Sequence, residues 1–299
     1  MKTFKFVLTL FFTSIFTWAI AQEKGSSIIA NDATIEQAGS GFIFTEGPAV
    51  ASNGKVYFTD QPNDRIHVWD EKEGVSLWLE GTGRSNGMYF TSEDQLVTCA
   101  DEKTQLAYFD EDKNLIKLCD SFDGMHLNGP NDVWVIPNKG GYYFTDPYYH
   151  RSWWPEGHKE LQDVRGVYYL SNEGDISRVI DDFKTPNGLI GTADGKTLYV
   201  ADIEDRKTWK YDIQSDGSLA NKTFFAPHGS DGMTIDNEGN IYLTYDKVWV
   251  YNPKGELIEE ITFPESPANI CFGGKNRDIL FVTARKGVYT LKMNVKGVN

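Results

Sequence analysis

The sequence predicts an all-β chain folded as a six-bladed β-propeller of four-stranded antiparallel blades, and three observations support this. A hairpin pattern of a polar residue, a short apolar run, a Gly/Asn/Asp turn and an alternating strand recurs six times. It begins at Glu46, Asn86, Asn131, Asn187, Asp231 and Asn269, and TPNGLIGTADGKTLYVAD from Thr185 is the fullest copy. A further strand pair follows the hairpins, as in RIHVWD then VSLWLE, which makes four strands per unit. Runs with helical 3.6-residue periodicity are scarce, which argues against helical layers. A repeat of about 40 to 50 residues, each copy a small antiparallel sheet, is the pattern of a propeller blade, and such blades bury their faces only against one another.

In chain order, Lys2 and Lys5 precede an apolar run from Phe6 to Ile20 that closes on Ala19, Ile20 and Ala21. This reads as a signal peptide over residues 1–21 cleaved near Ala21/Gln22. It is too short for a membrane span, and no Cys at the junction suggests a lipid anchor. A secreted or periplasmic protein with no membrane anchor after cleavage is the expectation. Residues 22–299 then form one propeller. The stretch ATIEQAG from Ala33 is expected to add a strand beside GVYTLKM of the last blade and so close the ring. Between Asn131 and Asn187 the spacing is 56 residues, against 38 to 45 elsewhere. The excess is DPYYHRSWWPEGHKELQDVRG, whose Tyr148, Tyr149, Trp153 and Trp154 are expected to form a rim over one face, the alternative being an aromatic plug.

Composition narrows the partners. A net charge of −14 and a pI near 4.8 disfavour nucleic acid, which needs a basic patch, and favour cations and small neutral ligands. Cys99, Cys119 and Cys271 stand in no metal-binding spacing; Cys99 and Cys119 fall in one blade and could be close, but free thiols are expected. A monomer acting on a small molecule is the simplest expectation.

The residues that open the six repeats all carry side-chain oxygen. In a propeller the innermost strands line a central channel, so these positions converge on the axis at one depth. Such a ring is costly to bury unless water or a cation satisfies it, and hard oxygen donors suit Ca2+, Mg2+ or Mn2+ rather than a thiolate-bound metal. The competing account is that Asn-Gly and Asp-Gly merely form turns. That covers Asn86, Asn187 and Asp231 but neither Glu46 nor Asn131, which precedes Asp132.

FTEGPAV, LNGPNDVWV, YFTDP, TPNGL with LYVAD, and GSDGMTID, in this order, resemble the motifs of the senescence-marker, gluconolactonase and luciferin-regenerating family of six-bladed propellers. The resemblance spans essentially the whole chain after the leader. It implies one divalent cation held by Glu46, Asn187 and Asp231, with Ca2+ first and Mg2+, Mn2+ or Zn2+ as alternatives. It also implies Asp231 as general base and Asn131 as a substrate-contacting residue that ligates the metal in some relatives; Asn86 is a further candidate for holding substrate hydroxyls. Several bacterial members carry Glu-His where this chain has Ala100 and Asp101, a departure that bears on the substrate.

Other motifs are weaker. GRSNG from Gly83 matches the serine-hydrolase elbow but is followed by no helix, so Ser85 is not expected to be a nucleophile. His67, His126, His150, His158 and His228 show no metal spacing; His126 and His228 lie near repeat mouths and are the two that could touch a substrate. Asp60, Asp146 and Asp202 end hairpin strands and are expected to cap loops. The function expected is a metal-dependent, gluconolactonase-like hydrolase of sugar lactones. A phosphotriesterase on the same site and a non-catalytic binding propeller stabilised by its ion are the alternatives.

Overall fold

The computed structural model describes residues 28–137 and 140–298. The leader at 1–21 lies outside the described residues. The described chain forms six four-stranded antiparallel sheets plus a two-stranded hairpin, Ser121–Phe122 with Met125–His126. Blade 4 shows the plan: Pro186–Gly191, Thr197–Asp202, Lys207–Ile213 and Leu219–Ala226 pair in sequence order. Burial fades outward along this order. The inner strand Pro186–Gly191 is buried throughout, whereas the outer strand is largely exposed between Ala220 and Phe224. The Leu198, Val200 and Ala201 side chains belong to one core cluster with Trp134 and Ile190.

The ring closes as the sequence suggested. Glu36–Ser40 pairs antiparallel with Gly287–Lys292, completing a sheet begun by Asn269–Gly273 and Ile279–Ala284. Edges are thereby covered. Ahead of this strand, Ile28 is buried among Phe272, Leu280 and Met293, and its carbonyl accepts a hydrogen bond from Asn294 N at 2.8 Å.

The three cysteines are free; Cys99 and Cys271 are buried and Cys119 is partly so. Asp60, Asp146 and Asp202 cap the loops that lead into their own blades. Asp60 Oδ1 accepts from Ile43 N and Phe44 N, Asp146 from Asn128 N and Gly129 N, and Asp202 from Lys184 N and Thr185 N. In blade 2 a different residue does this: Asp64 accepts from Thr82 N and Arg84 N. Asp101, at the end of the blade 2 hairpin, is thus free for another role.

Because Ile28 fills the closing blade, Ile28→Ala is expected to lower the unfolding free energy by about 2–5 kcal/mol. Ile43→Ala, at a side chain 52% exposed, should stay within about 0.5 kcal/mol of wild type. Equal effects in urea unfolding would contradict closure by the N-terminal segment.

Candidate functional site

The ring of polar residues is built by two local devices. The inner strands of blades 1, 2 and 4 each carry a register shift where the ring residue sits: between Glu46 and Ala49, Ser85 and Met88, and Pro186 and Leu189. Bulges of this kind bend a strand and re-aim a side chain, here Glu46, Asn86 and Asn187. The second device is the glycine after the ring residue. A Cβ on Gly47 would lie 1.9 Å from Asn86 O, on Gly87 2.3 Å from Asn131 O, and on Gly232 2.0 Å from Asn269 Cγ. These glycines let each blade's entry pack on the next. Close approach, rather than turn formation, explains the Asn-Gly and Asp-Gly pairs.

Within the ring, Asn187 Nδ2 donates to Asp231 Oδ1 at 2.8 Å and to Tyr149 Oη at 2.9 Å. Its Oδ1 is buried with no hydrogen-bond partner among the described residues, as is Asn86 Oδ1. Glu46 is 4% exposed and accepts Gly47 N at 2.8 Å. Asn269 belongs to the same cluster, its side-chain amide close enough to Glu46 to oppose the rise of that carboxyl. It reaches across the channel, Nδ2 donating to Asp132 Oδ1 at 3.1 Å while its Oδ1 accepts Ile270 N. Asn131 is buried, with its carbonyl receiving Gly87 N at 2.8 Å.

Asp132 is the participant that sequence reasoning missed. It stands where four of the other five repeats carry Gly, the sixth repeat having Ile270, and a carboxylate at that position was the available signal. With it, the axis holds three carboxylates. Burial, then repulsion from Asp231 and Asp132, pushes the Glu46 carboxyl well above its ordinary range. Burial and then Asp231 do the same to Asp132. Asp231 is raised to about 6 by burial, opposed by its hydrogen bond from Asn187 and by the fields of Arg285 and Arg151. Among the described residues no group of three or more His, Cys, Asp or Glu side chains could hold an ion by itself. A cation here depends on amide oxygen, and the unpartnered Asn187 Oδ1 beside repelling carboxylates fits a hard divalent ion.

The insertion covers this mouth in two ways. Tyr149 and Trp153 are half-buried and border it, as expected of a rim. Trp154 is a correction to that reading, since it is 8% exposed and donates Nε1 to Asp101 O at 2.8 Å, a plug rather than a rim. Arg151 Nε donates to Asp101 Oδ2 at 2.6 Å, and Gln61 Nε2 donates to the same oxygen at 3.1 Å. Burial still raises Asp101 to about 6 despite this pairing. An apolar cavity of about 380 Å³ continues down the channel between the inner strands, past Asp132 and Asn269. Its walls include Met88, Leu189 and Met233, with Asp132, Asn269 and Arg277 among the polar groups that also line it.

The remaining signals are structural. Ser85 Oγ donates to Thr82 O and opens a strand. His67 packs between Phe42 and Phe58, His228 stacks on Trp249 at 4.0 Å, and His126 is exposed.

Fold and site together define a six-bladed propeller with a buried, axial oxygen-donor ring capped by an aromatic insertion. Residues 44–286 match the model of the SMP-30/gluconolactonase/LRE-like region, and the chain belongs to that family. It is 28% identical to a gluconolactonase of Zymomonas mobilis over 88% of this chain and 82% of that protein. Among solved structures it is similar to a gluconolactonase from Xanthomonas campestris, with a TM-score of 0.82, 25% identity, and coverage of 89% and 91%. A calcium-binding regucalcin of Agrobacterium tumefaciens shares the fold at a TM-score of 0.72 and 18% identity, over 87% and 93% of the two chains.

Acids raised in the folded state hold protons that the unfolded chain releases between about pH 4 and 7. Asp101 and Asp231 at about 6 and Asp146 at about 7 place their loss of stability in that window as pH rises. Surface carboxylates such as Asp205, lowered to about 2 by Lys207 and Lys184, titrate below it. With chelator present, melting temperature should therefore fall from pH 5 to pH 8, and added Ca2+ should reduce that fall. A chelated protein whose melting temperature is flat or rises over this range would contradict the assignment.

Proposed function

We propose that this chain is an exported hydrolase of sugar lactones that works as a monomer with one divalent cation. The observation that carries it is the Asn187 amide, whose N–H groups are both engaged while its buried oxygen, beside Asp231, has no partner among the described residues. Membership of the family and the gluconolactonases among its relatives support a lactone as the substrate. The apolar run ahead of Ala21 supports export.

Glu46, Asn187 and Asp231 would hold the cation, Ca2+ by preference for an all-oxygen site, and it would supply positive charge at the lactone carbonyl. The chain's own groups account for the rest. Asp231 Oδ1 is fixed by Asn187, and its Oδ2 makes no hydrogen bond to the described residues, which suits it to orient an attacking water and take its proton. The Asn131 and Asn86 amides are polar groups for the sugar hydroxyls, and Asn86 Oδ1 is still unpaired. Tyr149 and Trp153 border the mouth with half-buried rings. The insertion narrows the mouth and limits access of bulk water.

Asp231→Asn keeps an oxygen but removes the charge and the proton acceptor. Hydrolysis of glucono-1,5-lactone at saturating Ca2+ should fall about 10²- to 10⁴-fold while calorimetry still detects weakened cation binding. Turnover near that of wild type would remove Asp231 as the base. Tyr149→Phe deletes the hydroxyl that helps fix the Asn187 amide, and should weaken Ca2+ by about five- to tenfold. An unchanged Ca2+ affinity would show that Tyr149 does not orient the ligand.

A further inference from the structure

Arginine is gathered around the mouth of an otherwise acidic ring, in a chain with net charge −14. Arg151 is held by Asp101 through Nε alone, and its Nη nitrogens make no hydrogen bond to the described residues. Its guanidinium lies 5.4 Å over Tyr149 and 5.5 Å over Trp153. Arg84 stacks on Trp153 at 4.9 Å, with Nη1 donating to Pro62 O. Trp153 thus meets two guanidinium groups. Tyr149 Oη in turn meets Asn187, so the open edge of Arg151 is one aromatic ring away from the proposed ligand amide. Arg285 borders the mouth from blade 6, 5.6 Å over Phe44, and forms no ion pair among the described residues.

A guanidinium stacked on aromatic faces and anchored through Nε is pre-organised, with its Nη edge left for a planar or tetrahedral oxyanion. A neutral aldonolactone offers that edge only hydroxyls. Asp101 is available for the anchoring because Asp64 caps the blade 2 loop, a task that the hairpin-end aspartates perform in blades 1, 3 and 4. The anchor and the insertion that supplies Arg151 therefore form one unit.

We propose that Arg151 binds a second anionic group on the substrate, so that the site takes lactones bearing a carboxylate or a phosphate remote from the ring ester. The proposal rests on the lactone-hydrolase reading above. Its ligand class is an acidic sugar lactone and, after opening, the corresponding diacid.

The test is calorimetric binding at fixed free Ca2+ of three open-chain acids: gluconate, glucarate and 6-phosphogluconate. Wild type should bind at least one of the two doubly acidic probes about tenfold or more tightly than gluconate, the margin expected for a charge-assisted hydrogen bond. The tighter of the two identifies carboxylate or phosphate as the preferred group. Arg151→Met leaves Asp101 buried without its partner, so Asp101→Asn/Arg151→Met is measured beside it as a charge-balanced variant. In the double variant the margin should shrink to about twofold or less, and Arg151→Lys should recover part of it. Equal affinity for all three acids in wild type, or a margin that survives in the double variant, overturns the proposal. Hydrolysis of glucono-1,5-lactone is followed on the same preparations. An active enzyme without the margin sinks the anion subsite alone, whereas an inactive protein that keeps the margin sinks the hydrolase reading and leaves the subsite standing.

Discussion

Like charge brought together on the propeller axis is the constraint on which the rest of the site depends. Glu46, Asp132 and Asp231 come from three different blades and meet in a buried setting, where burial raises all three carboxyls and repulsion adds to the rise at Glu46 and Asp132. The fold can hold them there only by covering them with specific partners. Asn269 crosses the channel to Asp132, Asn187 binds Asp231, and Gly47 N is turned onto Glu46. One amide oxygen is still left over at Asn187, and that residual polarity is what a cation would satisfy.

The family scaffold and the features particular to this chain meet at Asp101. At the end of the blade 2 hairpin this sequence has Ala100 and Asp101 where the resemblance leads one to expect Glu-His, and on its own that difference only puts the substrate in question. In the structure the difference acquires a cause. Asp101 anchors Arg151 and, through its carbonyl, Trp154, so the blade 2 departure and the blade 3 insertion support each other. Asp64 takes over loop capping and makes the exchange structurally tolerable.

Much of this was legible in the sequence because the repeat is strict. Six hairpins with polar openings give the blade number, the inner strands and the axial ring, and ATIEQAG gives the closure. What escaped depends on contacts between blades. No periodicity shows that Asn269 bonds to Asp132, 137 residues away, or that the glycines are there for the neighbouring blade's backbone. Asp132 was visible only as an exception to Asn-Gly. The insertion's composition announced a rim, but aromatic content cannot say which ring faces the mouth. Trp154 is buried because Asp101 O is within its reach, while Tyr149 is positioned by Asn187.

The central claim is that the buried oxygen ring is a cation site. It is tested most directly by diffraction from crystals grown with Mn2+, located by its anomalous signal. The account predicts a single strong peak on the axis within about 2.0–2.6 Å of oxygens from Glu46, Asn187 and Asp231. An axis without a peak, or an ion bound away from these three residues, would contradict it.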